Sequence, residues 1–244
     1  MLSPFLLNNS KLKVLSSGLK NSKGCGIFGQ KVARFKGGST TKHSIVKVDL
    51  QRTFLPHKAL VLNFIKTYRK TCLIALIKYS TGSYSYIPTP YGIEVGSFLK
   101  TIFKPIEFSR KYMLGYLVLL KYLEPHTVVF NLEIKIPFGG RYALAGGTSA
   151  VVLVIDKFSN QVLVQLPTGT KIWIDAYCSA VLGRSSNIFN HKKVIGKAGM
   201  SANYNLRPIV RGVAKNPVDH PHGGRTKTNS PEVTPWNKIA KKNK

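Results

Sequence analysis

A mostly β protein of two successive small barrels, with basic irregular extensions at both ends, is the fold class this sequence predicts. Three observations carry that expectation: short runs rich in β-branched, aromatic and aliphatic residues fill the middle of the chain, turn signals separate them at close spacing, and amphipathic helical periodicity is scarce. Two sets of such strands suit two small barrels better than one sandwich.

The first set comprises residues 59–66, 71–79 and 83–87, with Ser80-Thr81-Gly82 as a turn between the last two. The second comprises 127–135, 149–155, 161–166 and 171–175, divided by Gly139-Gly140, Ser159-Asn160 and Pro167-Thr168-Gly169. Val162, Val164 and Leu166 alternate with Gln161 and Gln165, as a half-buried strand requires. A joint is expected near residues 104–115, where Pro105, the pair Arg110-Lys111 and Gly115 mark a linker. After Gly183 the strand pattern fades. From Gly196 onward the chain reads as an irregular tail with ten Lys or Arg against Asp219 and Glu232. The expected division is a basic arm over 1–30, a first barrel over 31–110, a second over 111–195 and a C-terminal extension over 196–244. No internal repeat points to a solenoid.

Charge limits the partner. Lys and Arg number 37 against 9 Asp and Glu, a formal charge of +28. A polyanion must neutralise that excess, and phosphate backbones are the best candidate for a chain without an amphipathic anchor. The longest apolar runs, such as Met113 to Leu120 broken by Gly115, fall short of the ~18 residues that span a bilayer, so no membrane span is expected. With 43% hydrophobic residues in 244, the chain can build real cores. Cys25, Cys72 and Cys178 are widely spaced and form neither a Cys-x-x-Cys pair nor a disulfide framework, which suggests a reducing compartment.

The first 48 residues hold nine Lys or Arg and no Asp or Glu. That composition fits a mitochondrial transit peptide and also an RNA-binding arm. The arm is the expectation, because the sequence starts at Met1; with the frequent Lys, Asn, Tyr and Phe of an AT-rich genome, it suits synthesis inside an organelle.

Val210 through Gly224 place Pro217, Pro221, His220, His222, Gly223 and Gly224 in one segment that neither helix nor strand accommodates. Such a segment is expected to be moulded by a surface. Asp219-His220-Pro221-His222 offers metal-ligand types, but a proline between the histidines and the lack of further ligands argue against one ion. No Gly-x-Ser-x-Gly occurs, and nine acidic residues leave few carboxylate pairs. No protein catalysis, metal or cofactor is therefore expected. RNA contact uses the same residues more economically. Gly196, Gly199, Gly223 and Gly224 let the backbone approach phosphates; Lys197, Arg207, Arg211, Lys215 and Arg225 supply charge-assisted bonds; Trp236, His220 and His222 can stack on bases or ribose faces. Arg34, Lys36 and Asn216 complete the expected RNA-binding set. Each alone also fits a solvated charge or a packed aromatic; their density along one tail favours RNA.

Gly196-Lys197-Ala198-Gly199, Arg207-Pro208 and Val210 through Gly224, followed by Val233-Thr234-Pro235-Trp236, closely resemble the C-terminal signature of the ribosomal protein L2 family. Thr127-Val128-Val129, Asn131-Leu132-Glu133, Gly147-Thr148 and Leu166-Pro167-Thr168-Gly169 support the resemblance in the second barrel. Arg34 with Gly37-Gly38, and Tyr86-Ile87 with Pro90 and Gly92, support it loosely in the first. It implies an OB-fold barrel followed by an SH3-like barrel, and a C-terminal extension running into RNA. It also implies a structural constituent of the large ribosomal subunit that binds rRNA and other ribosomal proteins; contact with the small subunit across the interface stays open, as do structural magnesium ions. His220 matches the family histidine nearest the peptidyl-transferase region, with Asp219 and His222 beside it. Its implied role is to hold RNA geometry, with Asp219 orienting it or the neighbouring backbone.

The departures are informative. Leu144-Ala145 stand before Gly146-Gly147-Thr148 where the family usually has Arg-Ser, Met200, Ala202, Asn203 and Tyr204 replace the usual Arg and Trp after Gly199, and Arg225 takes the place of a third glycine. Such losses suit a mitochondrial ribosome with altered rRNA, so the expected location is the matrix. The alternative is a free OB-fold binder of single-stranded nucleic acid, which would need regularly placed aromatics in a basic groove and no proline-glycine tail.

Overall fold

The computed structural model describes residues 15–18, 28, 43–52, 58–67, 70–102, 114–224, 233–234 and 236–239. They fall in two compact units, one of 15–18 with 43–194 and the other of 28 with 195–239. The first unit is mostly β, with two curled sheets in succession. Among the described residues no helix is long and apolar enough to cross a membrane.

Two short strands, β1 (Ser16–Gly18) and β2 (Ser44–Val46), pair antiparallel. The first barrel sheet follows with β3 (Ala59–Ile65), β4 (Ile74–Tyr79), β5 (Tyr84–Pro88) and β6 (Phe98–Leu99), in the order β5-β4-β3-β6. Strand β4 lies between β3 and β5 and is covered on both faces, so it reads as a near-continuous apolar run without alternation. One face buries Ala59, Val61, Ala75, Ile77, Ile87 and Leu99. The other buries Ile74, Leu76 and Tyr86 beneath Leu15, Val46 and Val48. A bulge between Val61 and Asn63 bends β3, as a small curled sheet requires.

The second sheet takes β7 (Thr101–Ile102), β8 (Leu117–Leu119), β9 (Val128–Phe130), β12 (Ala150–Asp156), β13 (Gln161–Gln165), β14 (Lys171–Asp175) and β15 (Ser179–Leu182). Their order is β14-β13-β12-β9-β15-β8-β7. Strands β10 (Leu132–Glu133) and β11 (Gly140–Tyr142) form a separate pair. Every pairing in the large sheet is antiparallel except β7 with β8. Its core gathers Leu117, Val129, Phe130, Val152, Val162, Val164, Ile174 and Val181. A second bulge, between Val152 and Val154, bends β12 as the first bends β3.

Within this core Glu133 is only 6% exposed. A carboxylate buried there without partners would cost several kcal/mol. Its Oε1 accepts the Gly139 N–H at 2.9 Å, and its Oε2 accepts the Ser179 N–H at 3.1 Å and the Ser179 hydroxyl at 2.7 Å. It thus ties the β10–β11 segment to β15.

The chain crosses from the first sheet to the second between Leu99 and Thr101; of the linker expected at 104–115, residues 103–113 lie outside the described set. Two devices join the sheets. The Arg52 guanidinium, 4% exposed, donates to the carbonyls of Lys100 at 3.3 Å and Gly115 at 2.6 Å. Burial pushes this guanidinium down to about 10, against the opposing pull of Tyr79 and Asp49. The second device is a set of hydrogen bonds around residues 184–187. Leu73 N–H donates to Ser186 Oγ, Ser186 N–H to the Thr89 carbonyl, Tyr91 N–H to the Arg184 carbonyl, and Asn187 Nδ2 to the Thr71 carbonyl.

Candidate nucleic-acid interface

Residues 195–224 pass through a short helix, Ala198–Asn203, then an extended run, a 3-10 turn at Gly212–Ala214 and a tight loop to Gly224. The sequence predicts an irregular tail, and for 204–211 that describes what is seen. The loop itself is ordered by its own backbone. Lys215 N–H donates to the Gly212 carbonyl, the Asp219 and His220 amides both to the Asn216 carbonyl, Gly223 N–H to the His220 carbonyl at 2.8 Å, and Gly224 N–H to the Lys215 carbonyl. Prolines at 217 and 221 occupy positions where no donor is used, so fixing φ costs the loop no hydrogen bond.

Two glycines make the turn possible by absence of a side chain. A Cβ on Gly223 would stand 2.2 Å from the Asn216 carbonyl oxygen, and one on Gly212 would stand 2.5–2.8 Å from three ring atoms of His220. The His220 imidazole therefore lies flat against the 212 backbone and is only 7% exposed. Its Nδ1 accepts the His222 N–H at 3.0 Å, and the His222 Nε2 accepts the Val233 N–H at 3.2 Å. Because both nitrogens accept from backbone amides, the neutral tautomers are fixed as Nε2–H for His220 and Nδ1–H for His222. The two rings are 5.0 Å apart and tilted by 55°.

This arrangement reverses one expectation from the sequence, that Asp219 orients His220 or its neighbouring backbone. Asp219 is instead exposed and engages Asn216 through its own amide, while the His220 ring orients the backbone at 222. The same burial leaves the His220 ring as an internal support of the loop, with its faces taken by Gly212 and His222. Nothing in the sequence signals that support, because a histidine and a glycine eight residues apart in an irregular segment carry no periodic pattern.

Around this support the remaining sequence-predicted residues are outward. Lys197, Arg207, Arg211, Asn216 and Gly224 are exposed, and Lys215, His222 and Gly223 are half-buried. Trp236 is 60% exposed. Gly196 has open space around it, and Gly199 sits inside the short helix, where a side chain would likewise meet nothing. Arg34, Lys36 and Arg225 lie outside the described residues. The cations alternate with exposed apolar groups, Leu206, Ile209, Val210 and Val218. Charge that attracts phosphate and apolar surface that excludes water from a base or ribose are thus interleaved on one stretch of chain. Among the described residues no group of three or more His, Cys, Asp or Glu could hold a metal ion.

Comparison with known proteins adds the following. The family model "Ribosomal Proteins L2, RNA binding N-terminal domain" matches residues 12–101, and "Ribosomal Proteins L2, C-terminal domain" matches 113–237. The chain is 35% identical over 240 residues to the large ribosomal subunit protein uL2 of Rhodopseudomonas palustris strain BisB18, covering 97% of this chain and 83% of that protein. It is 34% identical over 244 residues to the uL2 of Sphingopyxis alaskensis, with the same coverage, and 35% identical over 227 residues to that of Rickettsia canadensis, covering 92% and 80%.

Proposed function

The chain belongs to the ribosomal protein L2 family, and from that premise we propose that it serves in the large subunit of a mitochondrial ribosome, with its tail set against rRNA near the peptidyl-transferase region. The coarser statement follows from membership: the protein is an RNA-binding structural constituent of the large ribosomal subunit. The finer one draws support from the Lys-, Asn-, Tyr- and Phe-rich composition and from the altered positions 144–145, 200–204 and 225.

The observation that carries the tail's role is the self-supported loop of 211–224. A loop whose shape is held by internal bonds presents Arg211, Lys215 and Asn216 in fixed directions before RNA arrives, so less conformational freedom is lost on docking. In this reading Lys197, Arg207, Arg211, Lys215, Asn216, His222, Gly223, Gly224 and Trp236 meet RNA, and Arg34, Lys36 and Arg225 add phosphate contacts. His220 contributes by supporting that surface from inside, and Asp219 lies at its edge. Residues 31–110 and 111–195 act as the OB-fold-like and SH3-like barrels, between an arm at 1–30 and the extension at 196–244. Other ribosomal proteins, and the small subunit across the interface, are the further partners. The chemistry of peptide-bond formation stays with RNA, and the protein holds its architecture.

Purified mitochondrial large subunits washed at high salt provide the test. The native protein should co-sediment with them and crosslink to large-subunit rRNA through the 197–216 segment. Release at the wash, or crosslinks confined to other RNA, would overturn the reading.

A further inference from the structure

One surface departs from the charge of everything around it. The outer faces of β12, β13 and β14 align in three cross-strand rows: Val151–Gln165–Lys171, Val154–Leu163–Trp173 and Asp156–Gln161–Asp175. The middle row is apolar and open, with Val154 49% and Trp173 54% exposed. Phe158, at the tip of the β12–β13 hairpin, is fully exposed. On a chain of formal charge +28, these nine positions hold one Lys and two Asp. The Ser159 hydroxyl and the Phe158 amide hold the Asp156 carboxyl below its usual range, so the anion persists. Phosphate is repelled where the rest of the molecule attracts it.

Strand β14 is also the terminal strand of its sheet. Leu166 N–H donates to the Thr170 carbonyl and Ala176 N–H to the Asn160 carbonyl, which fixes the alternation of the antiparallel ladder. Ile172 and Ile174 turn their N–H and C=O groups toward β13; Lys171, Trp173 and Asp175 turn theirs away. Among the described residues no strand pairs with that outer edge. An open edge beside an apolar row invites another strand, and Lys171 is the one charge at its start that discourages it.

We propose that this edge accepts an extended segment of another ribosomal protein, added as a further strand alongside β14. The added strand bonds to the backbone of 171–175, places an apolar side chain beside Trp173 as the fourth member of the Val154–Leu163–Trp173 row, and sets a Lys or Arg beside Asp175. RNA has no alternating ladder of donors and acceptors to match the edge, and the two carboxylates oppose its phosphates. The inference rests on the reading of the chain as a large-subunit component.

Amide hydrogen exchange, resolved to single residues, separates the outcomes. In the free protein the Ile172 and Ile174 amides should already be slow, and those of Lys171 and Trp173 fast. In purified large subunits the latter two should slow by about a hundredfold or more, as an added ladder requires. Leu163→p-benzoylphenylalanine in the same particles should crosslink to a second ribosomal protein, at a residue adjacent to Lys or Arg. Fast exchange at 171 and 173 in particles that contain the protein, or a crosslink to rRNA alone, sinks this inference and leaves the subunit assignment standing. Absence of the protein from the particles sinks both.

Discussion

Replacing His220 by Ala removes the internal support of the 211–224 loop, and the structure sets the size of the effect. The His222 amide loses its acceptor at 3.0 Å, worth about 1 kcal/mol. The ring also leaves its place over Gly212; burial of roughly 40 Å² of its apolar surface at about 25 cal/mol per Å² is worth about 1 kcal/mol more. A local loss of about 2 kcal/mol corresponds to roughly 30-fold. Exchange of the His222, Gly223 and Gly224 amides in the free protein should therefore accelerate by about that factor, while the Val162 and Val164 amides of the barrel stay unchanged. His220→Asn should recover about half of the loss, because its side-chain carbonyl can accept near where Nδ1 does but cannot replace the ring. In assembled subunits the Ala variant should lower incorporation or order in the tail without altering the pH dependence of peptide-bond formation. Unchanged amide exchange in the Ala variant would refute the support role. An intact loop combined with loss of a titration near the reference histidine value of ~6.5 would replace it with proton transfer.

Three further outcomes follow from other parts of the molecule. Deleting 216–244 removes six Lys or Arg, so the log–log salt slope of RNA binding should fall by up to about 4, at roughly 0.7 counterions per contact; the strands all lie upstream, and circular dichroism should show the β content intact, whereas an unfolded product would show the tail to be part of the fold. Glu133→Gln leaves at least one of three buried donors unmet, costing about 2–3 kcal/mol and lowering Tm by roughly 4–12 °C; a shift under about 1 °C in calorimetry would deny the carboxylate its tying role. Burial, with Glu133 and Asp175 nearby, pushes the Cys178 thiol from 9.0 up to about 12. The folded state thus holds a proton that the unfolded state gives up, so this group's contribution is complete below about pH 9 and is lost as pH rises toward 12; stability of the native protein relative to Cys178→Ala should fall across that window, and a flat difference would contradict the assignment.

Legibility of the sequence follows the physics of each segment. The run 171–175 is legible to the residue, and Gln161–Gln165 within one, because Val162 and Val164 alternate with glutamines over a half-solvated face. Strands β8 and β15 are not legible. Ser179–Leu182 is buried on both faces, so no alternation marks it, and Leu117–Leu119 lies in an apolar run whose length speaks only to membranes. β1 and β2, three residues each, are too short for any period. In the tail, residue types point to RNA, but the contact of Gly212 with His220 depends on a turn closed by main-chain bonds, which composition does not encode. The expectation that a surface must mould 210–224 overlooks that glycines which permit approach to phosphate equally permit approach to the chain's own carbonyls.

The seam between the two sheets sets a timetable for synthesis. The first sheet has all of its strands once Leu99 is made, yet its bonds to the second require Arg184 to Asn187. At about 5–20 residues per second, the interval is roughly 5–20 s. For that time the Leu73 amide and the carbonyls of Thr71 and Thr89 face water or whatever attends the nascent chain, and the first barrel exists as a folded body free to turn. Any factor that engages it in that posture meets a surface which the finished protein no longer offers.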